Sequence, residues 1–305
     1  MGYATEVITV TRAATMFTNL EKLKLTYSDA LTVFFHAVQG SVEEFQALGP
    51  WLSNSHSLAL KMFRHLSSVN TLCQMYTDVP PGHPPSHYID FSSAQIVTRA
   101  AIETYLTFAY VFCNDDLTLA KFRCEIWQLS GLADRAKLLP ASVEAEKTLA
   151  ADKGQMEELR ISIAKSPHLA AYTEKQARRI LAGGWSQLRD WSELAVHAGI
   201  HPRYFDQTYN HLSGFSHSSY ISAIQISQAR DMHTQLHMAQ TCVQMSLFYT
   251  AHFVVNFSKI SASAALFISS DDAAKKFLKL WHITSEDWAK IYAEQDVERM
   301  KRADV

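Results

Sequence analysis

Five residues in two distant stretches carry the chemistry this chain could perform: Arg99 and Glu103 in one, and Tyr209, Ser213 and His217 in the other. Arg99 and Glu103 stand four apart inside residues 92–114, SSAQIVTRAAIETYLTFAYVFCN, a strongly apolar helix candidate. At 100° per residue, Gln95, Arg99, Glu103, Thr107, Tyr110 and Asn114 fall within about a third of the circumference, while Val97, Ala100, Ala101, Phe108 and Val111 take much of the remainder. A helix apolar on most sides is buried, and burying a guanidinium or carboxylate unpaired costs several kcal/mol. Each must therefore find the other, or a third polar group from elsewhere in the chain. Tyr209, Ser213 and His217, spaced i, i+4, i+8, project from one face if their helix survives Gly214. If it breaks there, Ser216 caps a new helix with His217 in its first turn. Either way Arg99 would orient an anion, Glu103 would hold Arg99 or act as a base, and His217 could move a proton near pH 7. The structural alternative is a buried polar network that pins two helices together.

An Arg-x-x-x-Glu in an apolar helix, then a helix rich in Leu and Arg, then Tyr-x-x-x-Ser-x-x-x-His near the start of a late helix, resembles a broad family of uncharacterised, mostly bacterial all-α proteins. The likeness covers about residues 90–260 on Arg99, Glu103, Tyr209, Ser213 and His217, and implies no particular reaction. A second resemblance is to the HEPN ribonucleases, whose signature is Arg, usually a polar residue, then His after four to six intervening positions. Arg230 and His237 have six between them. That resemblance implies an all-α enzyme in which Arg230 holds a phosphate and His237 assists attack by a ribose 2′-hydroxyl without a metal, the motif being paired across a homodimer. Residues seven apart on a helix share a face, which this chemistry needs.

Two further patterns compete. His233 and His237 make an HxxxH near Asp231, but no HExxH, ExxH pair or Cys cluster supplies more ligands, so no metal or cofactor is expected. Residues 192–212 resemble a helix-turn-helix, with Ala195, Gly199, Ile200 and Phe205 at the structural positions. From residue 187 to 213, however, acids outnumber Arg and Lys three to two, and a reader of DNA needs phosphate-neutralising charge. Gly199 then reads as a helix C-cap. Trp185, Trp191, Tyr204, Phe205 and Phe215 read as core or pocket wall, having no basic interleaving.

The elements that must position these residues follow from composition and periodicity. The 305 residues are 48% hydrophobic and 19% charged, with 10 glycines and 8 prolines, a breaker-poor composition that favours long helices. The fold class expected is all-α, a single-domain multi-helix bundle around the central helix at 92–114. A formal charge of −2 gives no global pull toward nucleic acid or anionic membrane. Cys73, Cys113, Cys124 and Cys242 sit singly, which fits a reduced, cytoplasmic compartment. The first residues lack the basic region and apolar core of a signal peptide, and Glu6 stands where a myristoylation motif wants Ser or Thr. Residues 236–257 are long and apolar enough for a membrane span but contain His237, Gln240, Gln244, His252 and Asn256, so a core helix is expected.

Along the chain, residues 3–14 alternate weakly as a strand or extended arm, and 16–38 form an amphipathic helix ending near Gly40. Ser41-x-x-Glu44 predicts a capping box on a short helix. A helix over about 52–78 precedes a Pro-rich loop at 79–90, the only candidate boundary, which would set a helical hairpin at 16–78 apart from a main body at 91–305. Beyond lie a helix capped by Asp116 and stopped by Pro140, and a charged helix at 142–165 with a kink or end at Gly154. A helix capped by Thr173 and ended by Gly183-Gly184 comes next, then one over 185–197. A helix from about Arg203 weakens at Ser213-Gly214 before a long one reaches roughly Lys259, and two final helices follow. The ligand expected is an anionic small molecule, or RNA under the ribonuclease reading; no membrane is expected.

Overall fold

The computed structural model describes residues 20–79, 81–82, 86–185 and 190–303. The expectations for residues 3–14 and 16–19, and for 186–189, lie outside them. The chain is all-α with one small ribbon. In order it forms α1 Leu20–Gln39, α2 Val42–Leu48, α3 Ser53–Leu72, β1 Met75–Asp78, β2 Ser86–Ile89, α4 Phe91–Phe112, α5 Leu117–Arg135, α6 Val143–Lys165, α7 Glu174–Leu181 and α8 Trp191–His197. There follow α9 Pro202–Ser216, α10 Tyr220–Gln228, α11 Met232–Ile260, α12 Ala262–Ser270, α13 Asp272–Trp281 and α14 Ser285–Ala303. The described residues fall into two compact units, one drawn from residues up to Leu106 and from Ala195 onward, the other from Thr107–Leu194. Residues on both sides of the Pro-rich loop thus belong to the same unit.

In the first unit the core is gathered on α11, which is apolar on nearly every side, and such a helix has to be enclosed. Phe34 of α1 meets Phe253 at 4.8 Å between ring centroids, and Phe45 of α2 meets Phe257 at 5.6 Å. Each buried phenyl contributes roughly 2 kcal/mol of transfer free energy. Two of the polar residues that argue against a membrane span, Asn256 and His252, are hydrogen-bonded inside the protein. Asn256 Nδ2 donates to the Tyr105 hydroxyl at 2.8 Å, which donates to the Ala198 carbonyl at 3.0 Å. His252 Nε2 lies 3.0 Å from the Ile283 carbonyl, so that nitrogen carries the proton. Among the described residues no helix is long and apolar enough to cross a membrane.

Several boundaries differ from expectation. The third helix ends at Leu72 instead of near Asp78, because residues 75–78 pair antiparallel with 86–89, stacking Tyr76 on Tyr88 at 5.7 Å. The Ser41–Glu44 capping box does not form. Ser41 Oγ donates back to the Val38 carbonyl at 2.6 Å, and the Glu44 carboxylate caps α12, accepting from Ser261 Oγ (2.8 Å), Ala262 N (2.8 Å) and Ser263 N (3.2 Å). The stretch expected as a helix from about Arg203, a weak point at Ser213-Gly214 and a long helix to roughly Lys259 is three helices, broken at 217–219 and again at 229–231, where Asp231 caps α11 by accepting from Thr234 N at 2.8 Å.

The second unit packs α5, α6 and α7 around Phe122, Ile126, Leu129, Met156, Ile163 and Ile180. Arg135 and Asp152 form a two-pronged ion pair, with Nε to Oδ2 at 2.6 Å. The α6 helix runs on through Gly154, where an added Cβ would meet nothing, so the glycine marks neither an end nor a close approach. Gly183 is different: its φ is +87° and a Cβ would stand 2.6 Å from that of Ala133, so this helix end requires glycine. The Thr173–Gln176 capping box is fully formed.

Candidate functional site

Arg99, Glu103, Tyr209 and His217 meet where α4 and α9 lie side by side in the first unit. The two helices run antiparallel here: Glu103 and Arg99 meet Tyr209, Arg99 also reaches His217, and further back along α4 Phe91 packs edge-on against Phe215 at 6.4 Å. Arg99 Nε donates to Glu103 Oε1 at 3.0 Å, and Nη2 donates to the Tyr209 hydroxyl at 3.0 Å. Tyr209 in turn donates to Glu103 Oε1 at 2.7 Å, closing a three-membered ring of charge-assisted hydrogen bonds. The guanidinium also lies 4.8 Å from the centre of the Tyr209 ring.

Arg99 Nη1 stands 3.2 Å from His217 Nε2. A guanidinium has no acceptor, so Nε2 must offer its lone pair, and the imidazole in this arrangement is neutral with its proton on Nδ1. The arginine and glutamate side chains are 17% and 30% exposed, and His217 is exposed outright, so the cluster is open to solvent on the His217 side. Burial works against the charge on Arg99, but the Tyr209 hydroxyl and Glu103 carboxylate more than offset it and raise its pKa above the ordinary value. Burial, then the Glu103 carboxylate, pushes the Tyr209 phenol well above its usual range, so it stays a donor.

Ser213 does not join the ring. Its hydroxyl donates back to the Tyr209 carbonyl at 2.7 Å, the usual behaviour of serine inside a helix. The helix survives Gly214 and ends at Ser216, with His217 as its C-cap. Ser216 therefore caps nothing new; its hydroxyl also bonds back, to Leu212 O at 3.4 Å. Glycine at 214 gives the elbow its close packing. A Cβ there would lie 2.9 Å from Ile221 Cγ2 and 3.0 Å from Ser219 Oγ, so the Ile221 and Ser219 side chains would have to move for α10 to fold back against α9. The elbow between them closes with Ser218 at a φ of +49°, the only non-glycine positive φ among the described residues, and with Ser219 N donating to the Gly214 carbonyl at 2.9 Å.

Gln95, one turn before Arg99 on the same face of α4, was not singled out by sequence. It is fully buried, yet neither its amide oxygen nor its nitrogen has a hydrogen-bond partner among the described residues. Only its four-residue spacing from Arg99 marks it beforehand. On the facing helix, His211 Nε2 is likewise buried without a partner among the described residues, and burial lowers that imidazole's pKa.

The other candidates are placed differently. Arg230 precedes α11, because Asp231 is that helix's cap, so Arg230 and His237 do not share a helix face. Arg230 Nε is turned back onto the Ser227 carbonyl at 2.9 Å. His233 and His237 lie on one face of α11, and no group of three or more metal-ligating side chains occurs among the described residues. In the stretch that resembles a helix-turn-helix, Gly199 is the C-cap of α8 with a φ of +80°. Arg203 forms a two-pronged pair with Asp296 at 2.8 and 3.1 Å and lies over the Tyr292 ring at 4.3 Å, so its guanidinium is engaged within the protein.

Fold and site together define an all-α protein with an open Arg–Glu–Tyr–His cluster on two antiparallel helices. Residues 54–232 match DUF5677, a family of unknown function, and the chain belongs to that family. The matched segment contains Gln95, Arg99, Glu103, Tyr209, Ser213 and His217, and stops short of His237. No curated protein and no solved structure matches the chain.

Proposed function

We propose that this is a binding or regulatory protein whose Arg99–His217 edge takes an anionic, phosphate-bearing ligand. The observation that carries the reading is donor capacity left over beside solvent. A guanidinium has five N–H groups, and three of them are engaged by Glu103, Tyr209 and His217. The two that remain sit on Nη1 and Nη2, beside exposed His217, whose Nδ1 carries a proton when Nε2 accepts from Arg99. The Glu103–Tyr209 ring fixes the guanidinium plane before any ligand arrives, which lowers the ordering cost of a two-pronged contact to an oxyanion. A purely structural pin between helices would have no use for an exposed imidazole on its outer edge.

Calorimetric titration with inorganic phosphate tests this on wild type, Arg99→Gln and His217→Ala. The exposed His217 can be removed without opening a cavity, so that variant keeps its fold. We expect binding to wild type, a roughly tenfold loss on removing His217, equivalent to one charge-assisted hydrogen bond, and no measurable binding without Arg99. Phosphate binding that neither substitution changes, or no binding to wild type at millimolar phosphate, contradicts the proposal.

A further inference from the structure

Two cysteines that stand far apart in sequence meet in the core of the first unit. Cys73 follows α3 as its C-cap, and Cys242 lies inside α11. The Cys73 thiol donates to the Ala239 carbonyl at 3.7 Å. A helical carbonyl points along the axis toward the residues three and four ahead, so this contact sets the Cys73 sulfur at the height of Cys242. The two thiols are in hydrogen-bond contact, and the Thr98 hydroxyl of α4 touches Cys242 as well. Tyr27 of α1, itself buried, lies near both sulfurs. Contact with Cys73, and then burial, raises the Cys242 pKa well above its ordinary value, so Cys242 rests as a thiol. Cys73 is 1% exposed and Cys242 0%, which admits only a small reagent.

We propose that Cys73 and Cys242 form a modification site, oxidised by hydrogen peroxide to a disulfide that ties the end of α3 to α11. One sulfur, as its thiolate, attacks a peroxide oxygen; the S–O bond forms, the O–O bond breaks and the first water leaves. The second sulfur attacks the resulting sulfenic acid; the S–S bond forms, the S–O bond breaks and the second water leaves. The two thiols give up two electrons and two protons, and the peroxide is reduced to two waters. The place of the link gives it a consequence. Met75, just beyond Cys73, pairs with Ile89 at the base of the ribbon, and Ile89 N donates to Gln235 Oε1 of α11 at 2.8 Å. The disulfide adds a covalent anchor at the base of the same ribbon, on the β1 side.

Each cysteine falls on its own tryptic peptide, Cys73 on residues 65–99 and Cys242 on residues 231–259, so the pairing can be read directly. Native wild type treated with excess hydrogen peroxide, quenched with catalase, alkylated and digested should yield these two peptides joined, lighter than their sum by two hydrogens, and separable by dithiothreitol. The midpoint of urea unfolding should rise by roughly 1 M, since the link closes a long loop, and should return on reduction. Cys73→Ala and Cys242→Ala should each lose both the joined peptide and the shift. The proposal is overturned if the native protein gives no such peptide, if either cysteine joins Cys113 or Cys124 instead, or if the link appears only when oxidation is carried out in urea. A link that leaves the midpoint unchanged or lowers it also overturns the proposal. Should an alanine variant fail to fold, the wild-type peptide map and its reversal by dithiothreitol decide alone.

Discussion

A buried amide without a hydrogen-bond partner is costly, and among the described residues Gln95 has none. Replacing it by methionine keeps the volume and removes two polar atoms whose desolvation is uncompensated, so Gln95→Met should raise stability by about 1–2 kcal/mol in urea or thermal unfolding. A loss of stability would mean that the amide is satisfied inside the protein. The pairing of Arg99 with Glu103 follows from sequence, since four-residue spacing puts them side by side and an apolar helix forbids leaving either alone. Contact with Tyr209 and His217 rests on the same reasoning, because the late stretch offers those polar groups at helical spacing. The silence of Ser213 was also predictable from a general habit of serine in helices, though its spacing suggested otherwise. What sequence could not supply is the proton on His217, which depends on Arg99 approaching Nε2 and not Nδ1.

Among the helices, the α9–α10 elbow decides where His217 stands. Gly214→Ala should destabilise by about 1–3 kcal/mol, because the new methyl meets Ile221 and Ser219 at or inside van der Waals contact. Ser218→Gly should stabilise by roughly 0.5 kcal/mol, the strain of a left-handed serine less the added chain entropy of glycine. If both substitutions prove neutral in thermal denaturation, the elbow is not built as described. Helix existence was well anticipated by periodicity and caps, as at Thr173 and Asp116, where a side chain and a backbone N–H three residues on settle the matter locally. Ends that depend on distant partners were not. Glu44 leaves its own helix to cap α12, and residues 75–78 leave α3 to pair with 86–89, choices made by tertiary contacts across the fold.

For the molecule as a whole, the buried imidazole of His252 adds to the response to acid. His252 is 4% exposed, and burial, with His282 and Lys259 nearby, lowers its pKa from 6.5 to about 3. In the unfolded chain the imidazole takes up a proton below about pH 6.5, which the folded protein refuses until about pH 3. The unfolded state therefore binds more protons in that window, and stability falls as pH drops through it, by about 1.4 kcal/mol per pH unit for this one group. His252→Gln, which keeps a donor for the Ile283 carbonyl, should give a shallower fall in unfolding free energy between pH 6 and pH 4 than wild type. An equally steep slope would assign the acid sensitivity to other groups. The all-α class follows from breaker-poor composition, whereas the gathering of α1, α2 and α4 onto α11 does not, since many helices of this chain are apolar enough to be central.

The tautomer of His217 is the most direct test of the site. Long-range ¹H–¹⁵N correlation of the imidazole in the free protein should show the proton on Nδ1 and an unprotonated, hydrogen-bonded Nε2, as acceptance from Arg99 requires. Adding inorganic phosphate should shift both nitrogens, and Arg99→Gln should abolish that shift. A proton on Nε2 in the free protein, or resonances indifferent to the anion, would contradict the proposed anion site.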